Sequence, residues 1–503
     1  MMSAPRVLLV MPCYRGQNHA LFLGVACLAT ALKQAGAEVA VLDEDVAAQA
    51  QEAGDDNVEV ILERVLRSFQ PTLIGLHINT PNYAAALALS LRLRSRSDAP
   101  LVAGGPHASV AAECLLQLHP QFDFVLRGEA DRSLPALAWA VQGRTGLEEV
   151  PGLSWRSAGG VFHQPRGVLI PAGELLPPDR GALLRPPDPV LHRHARGVYQ
   201  RNFANTMPGF CGREVAGGYT SRGCYSRCAF CSPARFWSNP QGGGPVRRLR
   251  PVHDVLTEMR GVRELGYSAV FFDEPTFPLA SEPDWARSFC AGMQELDLLW
   301  GGPTRLEELD ARQLPSLAQG GLRYVYFGLE TPLSHLQRCL DKTADEQAVL
   351  AMIEACEDVG IQCDLSLFFG SPGETDETID RTLEWMNRHL PRGNAFFSLA
   401  AFWPGTAWSE RAGLGPECWE PDFDRNESLR RGAVWYPESA VSIERFYSNS
   451  TGTYHPAIMT IERALSIKER ILTSGFRKRF STQARHQVSQ PLVRRHWGTP
   501  SQR

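Results

Sequence analysis

The sequence predicts an α/β protein in which a doubly wound, Rossmann-like N-terminal domain precedes a partial (β/α)6 TIM-like barrel and a mainly helical C-terminal region. Short apolar runs alternate with helix-length amphipathic segments along most of the chain, a pattern typical of parallel β/α units. The 503 residues suffice for roughly three domains. With 44% hydrophobic and 21% charged residues, the composition excludes a disordered chain and a small disulfide scaffold.

The first domain is predicted over residues 1–142, where strands and helices alternate strictly. The predicted strands are 6–11, 38–42, 73–77, 101–103 and 122–126, and the predicted helices are 21–35, 58–69, 83–95, 109–118 and 134–141. Strand–helix–strand repeats connect by right-handed crossovers and form a parallel sheet. Such a sheet binds its ligands outside the carboxyl ends of the strands.

Residues 143–210 are predicted to be a Pro-rich, irregular connector that contains a hairpin at 152–161 and lies between the domains. A second alternating pattern covers residues 211–406. Its predicted strands are 216–220, 269–273, 299–300, 322–328, 362–369 and 395–401, and its predicted helices are 251–265, 283–296, 310–318, 345–359 and 374–390. Six such strands favour a partial barrel with its chemistry at their carboxyl ends.

Residues 407–503 are predicted to form a cap and a basic tail. The aromatic residues of this region could cover a substrate at the barrel mouth or pack against the barrel; they are Trp419, Trp435, Tyr436, Tyr447 and Tyr454. A helix is expected near 456–472. Residues 461–503 carry ten Lys or Arg against two Glu, which is typical of a solvated terminus or of a contact for an acidic partner. Nucleic acid is not the expected partner.

Two glycine motifs of the first domain follow predicted strands. Gly104-Gly105-Pro106-His107 follows the fourth strand, and Arg127-Gly128-Glu129 follows the fifth. Glycine at such a point permits close backbone approach to a ligand, or only a tight turn. The chain contains neither a G-x-G-x-x-G after the first strand nor a P-loop, so a dinucleotide or a P-loop nucleotide is disfavoured.

Three of the twelve cysteines stand together as Cys224-x-x-x-Cys228-x-x-Cys231, and the other nine are scattered. We find no secretory signal and no apolar run of membrane-spanning length, so we expect a cytoplasmic protein whose grouped cysteines bind a metal or a redox centre. A closed zinc site normally takes four ligands. Three thiolates therefore favour a [4Fe-4S] cluster with one open iron, and a zinc site with a distant fourth ligand is the alternative.

The motif Gly223-Cys224-x-x-x-Cys228-Ala229-Phe230-Cys231 after the first barrel strand resembles the radical S-adenosylmethionine (SAM) superfamily. The resemblance implies that the open iron holds the amino and carboxylate groups of SAM. It also implies cofactor-binding roles for residues that end later barrel strands or follow them, namely Asp273, Glu274, Glu330, Gly370 and Pro372. Pro404-Gly405-Thr406, after the sixth strand, is similar to another loop of the family.

The N-terminal half resembles the cobalamin-binding domain that many such enzymes carry. The resemblance rests on the two glycine motifs and implies cobalamin contacts from Gly104, Gly105, His107, Gly128 and Glu129. No Asp-x-His-x-x-Gly occurs in the chain, so no lower histidine ligand to cobalt is expected. His77 and Asn79, at the end of the third strand, are candidates for facing the cobalt, although a structural role for the histidine is an equal alternative.

Together the resemblances imply a cobalamin-dependent radical SAM enzyme with a [4Fe-4S] cluster, SAM and cobalamin as cofactors. The leading hypothesis is a C-methyltransferase that acts on an unactivated carbon through a 5'-deoxyadenosyl radical and methylcobalamin. A cyclase or rearrangement enzyme with the same cofactors and a non-catalytic cobalamin sensor are the alternatives. The expected partners are a small-molecule or peptide substrate and an electron donor such as flavodoxin or ferredoxin. The sequence assigns no catalytic side chain and no oligomeric state.

Overall fold

A computed structural model describes most of the chain. The described residues are 3–13, 23–200, 208–210, 212–238, 246–392, 395–400, 402–413, 415–416 and 461–476. The aromatic residues predicted to form a cap, and the tail from residue 477 onward, lie outside the described residues. Cys211, Cys418 and the segment 14–22 lie outside them as well.

The first sheet has seven strands in the order β2-β1-β3-β4-β5-β6-β7. They are β1 Arg6–Met11, β2 Glu38–Asp43, β3 Leu73–His77, β4 Leu101–Gly104, β5 Phe124–Leu126, β6 Leu153–Ser157 and β7 Gly160–His163. Strands β1 to β5 run parallel, which confirms the predicted doubly wound sheet. The predicted hairpin forms as β6 and β7, and it extends this sheet antiparallel beyond residue 142.

The helices of this half pack on both faces of the sheet. They are α1 Leu23–Gln34, α2 Glu44–Glu52, α3 Val58–Phe69, α4 Tyr83–Arg94, α5 Pro106–Val110, α6 Ala112–Leu118 and α7 Ser133–Val141. Helix α3 begins where the Asn57 side chain accepts the Val60 N–H and ends at Gln70 in the left-handed region. The helix predicted at 109–118 is instead two helices, because residue 111 leaves helical geometry.

The connector contains helices that the sequence analysis did not predict. They are α8 Arg180–Leu184 and α9 Pro189–Gln200. The prediction of an irregular segment was therefore wrong for this part. Its prolines stand before the α9 helix or at its first position, where proline is tolerated, and the buried Asp188 carboxylate accepts the N–H groups of Val190 and Leu191.

The second sheet is an open, parallel, six-stranded sheet in the order β15-β14-β13-β12-β11-β8. A separate antiparallel ribbon pairs β9 with β10. The strands are β8 Val215–Gly218, β9 Ser221–Gly223, β10 Arg247–Leu249, β11 Ala269–Phe272, β12 Leu299–Thr304, β13 Leu322–Glu330, β14 Gln362–Phe369 and β15 Ala395–Leu399. The predicted partial barrel is confirmed, and the third of its six strands is longer than predicted.

The helices of this half follow its strands along the chain. They are α10 Ser232–Phe236, α11 Val252–Glu264, α12 Pro283–Glu295, α13 Leu314–Gln319, α14 Ser334–Cys339, α15 Glu346–Asp358, α16 Asp376–His389, α17 Ala407–Arg411 and α18 Ile461–Thr473. Helix α18 packs on α16, since Arg463 and Arg470 pair with Asp376 and Asp380. Two of the ten basic residues counted beyond position 460 therefore hold a helix in place. No helix among the described residues is both long and apolar enough to cross a bilayer.

The connector joins the two sheets through hydrogen bonds and a buried ion pair. The Thr30 hydroxyl of α1 donates to the Pro177 carbonyl at 2.7 Å. Arg180 donates to the Gly217 carbonyl of β8 at 2.5 Å and pairs with Glu258 of α11 at 2.7 Å. This segment therefore fixes the N-terminal sheet against the barrel, with the carboxyl ends of both sheets facing one cavity.

Candidate functional site

A cavity of about 700 Å³ lies between the two sheets. Its walls come from the carboxyl ends of β3, β4 and β5 on one side and of β11, β12 and β13 on the other. This is the edge at which both kinds of parallel sheet bind ligands. We refer below to the two sides as the N-terminal wall and the barrel wall.

The three grouped cysteines all line this cavity. Cys224 is buried, and its Sγ accepts the Ser226 N–H at 3.4 Å. The Arg305 guanidinium lies 3.9 Å from the Cys228 Sγ. Burial raises the pKa of the Cys228 thiol, while Lys342 and Arg305 act in the opposite direction. Thiolates that receive N–H bonds beside fixed cations suit an iron–sulfur cluster, whose total charge is negative.

Aromatic side chains shield the loop that carries the cysteines. The Phe230 ring centroid lies 4.8 Å from that of Phe368 and 5.7 Å from that of Trp408. Both partners belong to the apolar cluster at the end of the barrel. Phe230 therefore shields one side of the loop, because this packing keeps water away from it.

A buried carboxylate anchors the cysteine loop from below. Glu308 accepts the Tyr225 hydroxyl at 3.1 Å, Arg247 at 2.9 Å and the N–H groups of Leu279 and Ser281. Burial opposes its charge, but the bonds from Ser281 and its neighbours lower the pKa of Glu308 overall. This anchor could not be predicted from local sequence patterns, since its members are spread over 84 positions.

Asp273 and Glu274 are neighbours with different surroundings. Glu274 is 4% exposed and accepts the Thr220 N–H, the Thr220 hydroxyl and the Ser221 hydroxyl. Burial raises the pKa of Glu274 to about 7. Asp273 is exposed to the cavity, and its carboxylate accepts no hydrogen bond from the described residues. Desolvation by the surrounding protein raises the pKa of Asp273. Asp273 is thus available to a ligand, whereas Glu274 braces the strand before the cysteines.

Glu330 lies in the barrel wall next to a lysine. Its carboxylate accepts a hydrogen bond from the Lys342 Nζ at 2.9 Å, and neither side chain is more than 10% exposed. Glu330 has a positive φ of 65°, which is rare for a residue with a side chain. Strain of this kind clusters at ligand sites. Glu330 and Lys342 therefore offer one carboxylate and one ammonium group to the cavity.

Gly370 and Pro372 are not among the residues that line the cavity. In their loop, Glu374 accepts the Gly370 N–H, and burial raises the pKa of Glu374 to about 7. The loop is thus closed by its own glutamate. Strand β14, which leads into this loop, lines the cavity with Ser366 instead.

The predicted cobalamin residues divide into two groups. His77, Gly105, Gly128 and Glu129 line the cavity, whereas Asn79, Gly104 and His107 do not. Burial lowers the pKa of His77 to about 4, so its ring is neutral at pH 7.

His107 and Asn79 have structural partners outside the cavity. The buried His107 ring packs against the Tyr83 ring in a tilted arrangement, with the centroids 4.1 Å apart, and its Nδ1 lies 3.0 Å from the Thr80 hydroxyl. The Asn79 N–H donates to the Asn82 side chain at 2.7 Å.

Some cavity residues were not foreseen from the sequence. Arg305 follows β12 directly, but the strand contains Gly301-Gly302-Pro303 and therefore has the composition of a turn. Lys342 lies in a loop after α14, and Asp131 lies just beyond the second glycine motif. A correct end for β12 would have placed Arg305 with Asp273 and Glu330, at the carboxyl edge of the barrel.

Two family models match the chain. The B12 binding domain matches residues 10–138, and the radical SAM superfamily matches residues 219–386. The first match covers the carboxyl ends of β1 to β5, and the second contains the three cysteines, Asp273 and Glu330. Both matches agree with the two resemblances drawn from the motifs.

Curated relatives with two kinds of activity are similar to the chain. Cytidylyl-2-hydroxyethylphosphonate methyltransferase of Streptomyces wedmorensis is 26% identical over 452 residues, which cover 84% of this chain and 82% of the relative. The anaerobic magnesium-protoporphyrin IX monomethyl ester cyclase of Rubrivivax gelatinosus is 24% identical over 438 residues, or 82% and 73% of the two chains.

Among solved structures, the radical SAM methyltransferase TsrM of Kitasatospora setae, with a tryptophan substrate and a SAM analogue bound, matches with a TM-score of 0.64. It is 20% identical, and the match covers 82% of this chain and 77% of that one. At this identity the likeness shows a shared fold.

Proposed function

We propose that this chain, which belongs to the cobalamin-dependent radical SAM enzymes, is a C-methyltransferase that acts on an unactivated carbon of a small molecule or peptide. Its cofactors are cobalamin, a [4Fe-4S] cluster and SAM. When bound, they supply a 5'-deoxyadenosyl radical and a methyl donor. The protein groups supply orientation and exclusion of water.

The single observation that carries the proposal is the shared cavity. Loops of the N-terminal wall and the cysteine loop of the barrel line the same space of about 700 Å³. Methyl transfer to a carbon radical requires the donor and the radical to meet the same substrate atom. A single cavity lined by the glycine loops and by the cysteine loop supports such an arrangement, whereas a sensor does not need it.

The residues divide the work by chemistry. Cys224, Cys228 and Cys231 would hold three irons of the cluster. The open carboxylate of Asp273 suits the amino group of SAM, and Arg305, beside Cys228, suits a carboxylate. On the opposite wall, the neutral His77 and the glycine loops leave room for the flat macrocycle of cobalamin.

The proposal is tested by anaerobic incubation with SAM that carries a deuterated methyl group, a strong reductant and bound cobalamin. We expect mass spectrometry to find the CD3 group on cobalamin, and 5'-deoxyadenosine to be released. With a substrate identified from neighbouring genes, the product should carry one CD3 group in place of one hydrogen atom, and that hydrogen should be recovered in 5'-deoxyadenosine. Release of 5'-deoxyadenosine with no label on cobalamin or product would refute methyl transfer.

A cyclase or rearrangement enzyme is the second candidate, because a relative of that activity covers 82% of the chain at 24% identity. It would use the same cavity and the same cysteines. The labelling experiment separates the two candidates, since a cyclase product carries no CD3 group.

A further inference from the structure

We propose that four buried side chains, Glu129, Asp131, Arg222 and Arg248, form a clasp that sets the separation between the cobalamin site and the iron–sulfur site. The clasp connects a loop of the N-terminal wall to the ribbon that leads into the cysteine loop. It rests on the two cofactor sites, and it holds whether the enzyme transfers a methyl group or rearranges its substrate.

The barrel side of the clasp is built on the β9–β10 ribbon. Arg222 and Arg248 are direct partners in its antiparallel register, and side chains at such positions point to the same face. Arg222 is followed by Gly223 and then by Cys224. A displacement of the two guanidinium groups is therefore passed to the first cluster cysteine within two residues.

The N-terminal side supplies two carboxylates from one loop. The Asp131 carboxylate accepts hydrogen bonds from both terminal nitrogens of Arg222, each at 2.9 Å. Glu129 accepts both terminal nitrogens of Arg248, at 2.8 and 2.9 Å. Bidentate pairs of this kind fix the angle as well as the distance between their partners. The Glu129 carboxylate, predicted to bind cofactor, is thus already occupied by Arg248.

Burial makes the clasp specific. All four side chains are less than 10% exposed, and the two carboxylates balance the two guanidinium groups. Ile170 of the connector adds its N–H to Glu129 at 2.9 Å and its carbonyl to Arg248 at 2.7 Å. Removal of one partner would leave a buried charge without its counter-charge, so the alternative arrangements are unfavourable.

Hydrogen bonds continue from the clasp to the rest of the N-terminal wall. Gly128, next to Glu129, donates its N–H to the Ser109 hydroxyl at 3.0 Å. The same hydroxyl donates to the Gly105 carbonyl at 2.8 Å. Both glycine loops are therefore tied to each other and, through Glu129 and Asp131, to the strand before Cys224. The clasp residues are positioning residues in this sense.

The test is a distance measurement on protein loaded with cob(II)alamin and a reduced [4Fe-4S] cluster, because both centres are paramagnetic. Pulsed electron paramagnetic resonance on the unaltered protein should give one narrow distance distribution. In Asp131→Asn and Glu129→Gln we expect the distribution to broaden and its maximum to shift, while iron and cobalamin contents stay unchanged. Asp310→Asn, which removes a carboxylate from an exposed pair with Arg312, is the matched control and should leave the distribution as it is.

Arg222→Lys keeps the positive charge but loses the bidentate geometry, so it decides the question if the neutral variants fold poorly. A broadened distribution in this variant supports the clasp. An unchanged distribution overturns it, and so does loss of iron or cobalamin with an unchanged distance in the remaining loaded protein, since the residues would then only build one site. A clear distance change without label transfer in the unaltered protein would retain the clasp and reject the proposed methyl transfer.

Discussion

The two walls of the cavity hold their loops in different ways. Toward the cavity, the N-terminal wall presents a neutral ring and closely packed backbone: His77 is uncharged at pH 7, and Gly105 packs against the end of β3. Its two carboxylates, Glu129 and Asp131, are taken up by ion pairs with the barrel side. The barrel wall and the residues behind it use buried ionisable side chains: Glu274 and Glu308 accept hydrogen bonds from neighbouring loops, and Glu330 pairs with Lys342.

The difference follows from what each wall must hold. A negatively charged cluster and the charged ends of SAM need cations and carboxylates at defined points. A broad macrocycle needs a smooth surface, which glycine and a neutral ring provide. Glu274 and Glu308 brace loops by accepting hydrogen bonds, whereas Asp273 opens into the cavity and accepts no hydrogen bond from the described residues.

The largest expected effect is the loss of the cluster on the barrel wall, with cobalamin binding at the N-terminal wall retained. Cys224→Ala, Cys228→Ala or Cys231→Ala should abolish the cluster and all release of 5'-deoxyadenosine, because each removes one of three thiolate ligands. Cobalamin binding should persist, since the N-terminal wall contains none of these residues. Iron analysis and the cobalamin absorption spectrum measure both results. Cys339→Ala, at an exposed cysteine, is the control, and loss of cobalamin in the cluster variants would contradict separate walls.

The next effect tests whether a buried charge anchors the cysteine loop. Glu308→Gln leaves Arg247 buried without its carboxylate and weakens the bond to Tyr225, so we expect a loss of about 3 kcal/mol or more in the free energy of unfolding. Cluster iron should fall with it. Denaturant unfolding and iron analysis provide the measurement. Glu307→Gln, at the neighbouring exposed position, should change the stability by less than about 1 kcal/mol; equal losses would argue against the anchor.

The pH dependence should have opposite signs at the two walls. His77 has a pKa of about 4 in the folded protein, below its ordinary value of 6.5. Its neutral form is favoured on folding, so its contribution is present above pH 6.5 and is lost as the pH falls toward 4. Glu274 has a pKa of about 7, above its ordinary value of 4.5. Its contribution is present below pH 4.5 and is lost as the pH rises through 7.

Unfolding of His77→Gln and Glu274→Gln between pH 4 and 8, compared with the unaltered protein, measures these contributions. The difference in the free energy of unfolding between each variant and the unaltered protein should change by at most about 3 kcal/mol across this pH range, at 1.36 kcal/mol per pKa unit. The His77 difference should change only on the acid side, and the Glu274 difference only up to about pH 7. If the contributions of His77 and Glu274 to stability changed with pH in the same direction, the described difference in the ionisation of these two groups would be wrong.

The smallest effect concerns the close approach in the N-terminal wall. A Cβ at Gly105 would lie 2.7 Å from the Ile78 carbonyl, and its φ is 103°. Gly105→Ala should therefore cost about 1–3 kcal/mol in the positioning of this loop, or roughly 10- to 100-fold in cobalamin affinity. Titration with aquocobalamin measures it. Gly36→Ala, which has a positive φ but open space, is the control for backbone strain alone; equal losses would remove the role of the close contact.

Local patterns predicted much of this architecture. The bounds of β1, β3, α3 and β14 are those expected, because strict periodicity and good caps define them. The prediction was wrong where composition and position conflict: prolines before α9 concealed a helix, and Gly301-Gly302-Pro303 concealed most of β12. The cysteines could be found because their ligand spacing is local.

The contacts of Glu129 could not be found in the same way. Its partner Arg248 lies 119 residues away along the chain, and a single sequence does not record which buried charges meet. The glycine motif next to it was visible, so the position was predicted to matter, but its electrostatic partner was not.

The β6–β7 hairpin has a practical consequence for dissecting the protein. A fragment that ends at residue 142 would lack β6 and β7, which complete the first sheet. The unpaired backbone groups of β5 would then be exposed and able to pair with another chain. It would also lose Ile170, which completes the contacts of Glu129. The cobalamin half therefore cannot be transferred to another protein as a fragment that ends near residue 142. Recombination or fusion designs should place the boundary after residue 170 or transfer both halves together.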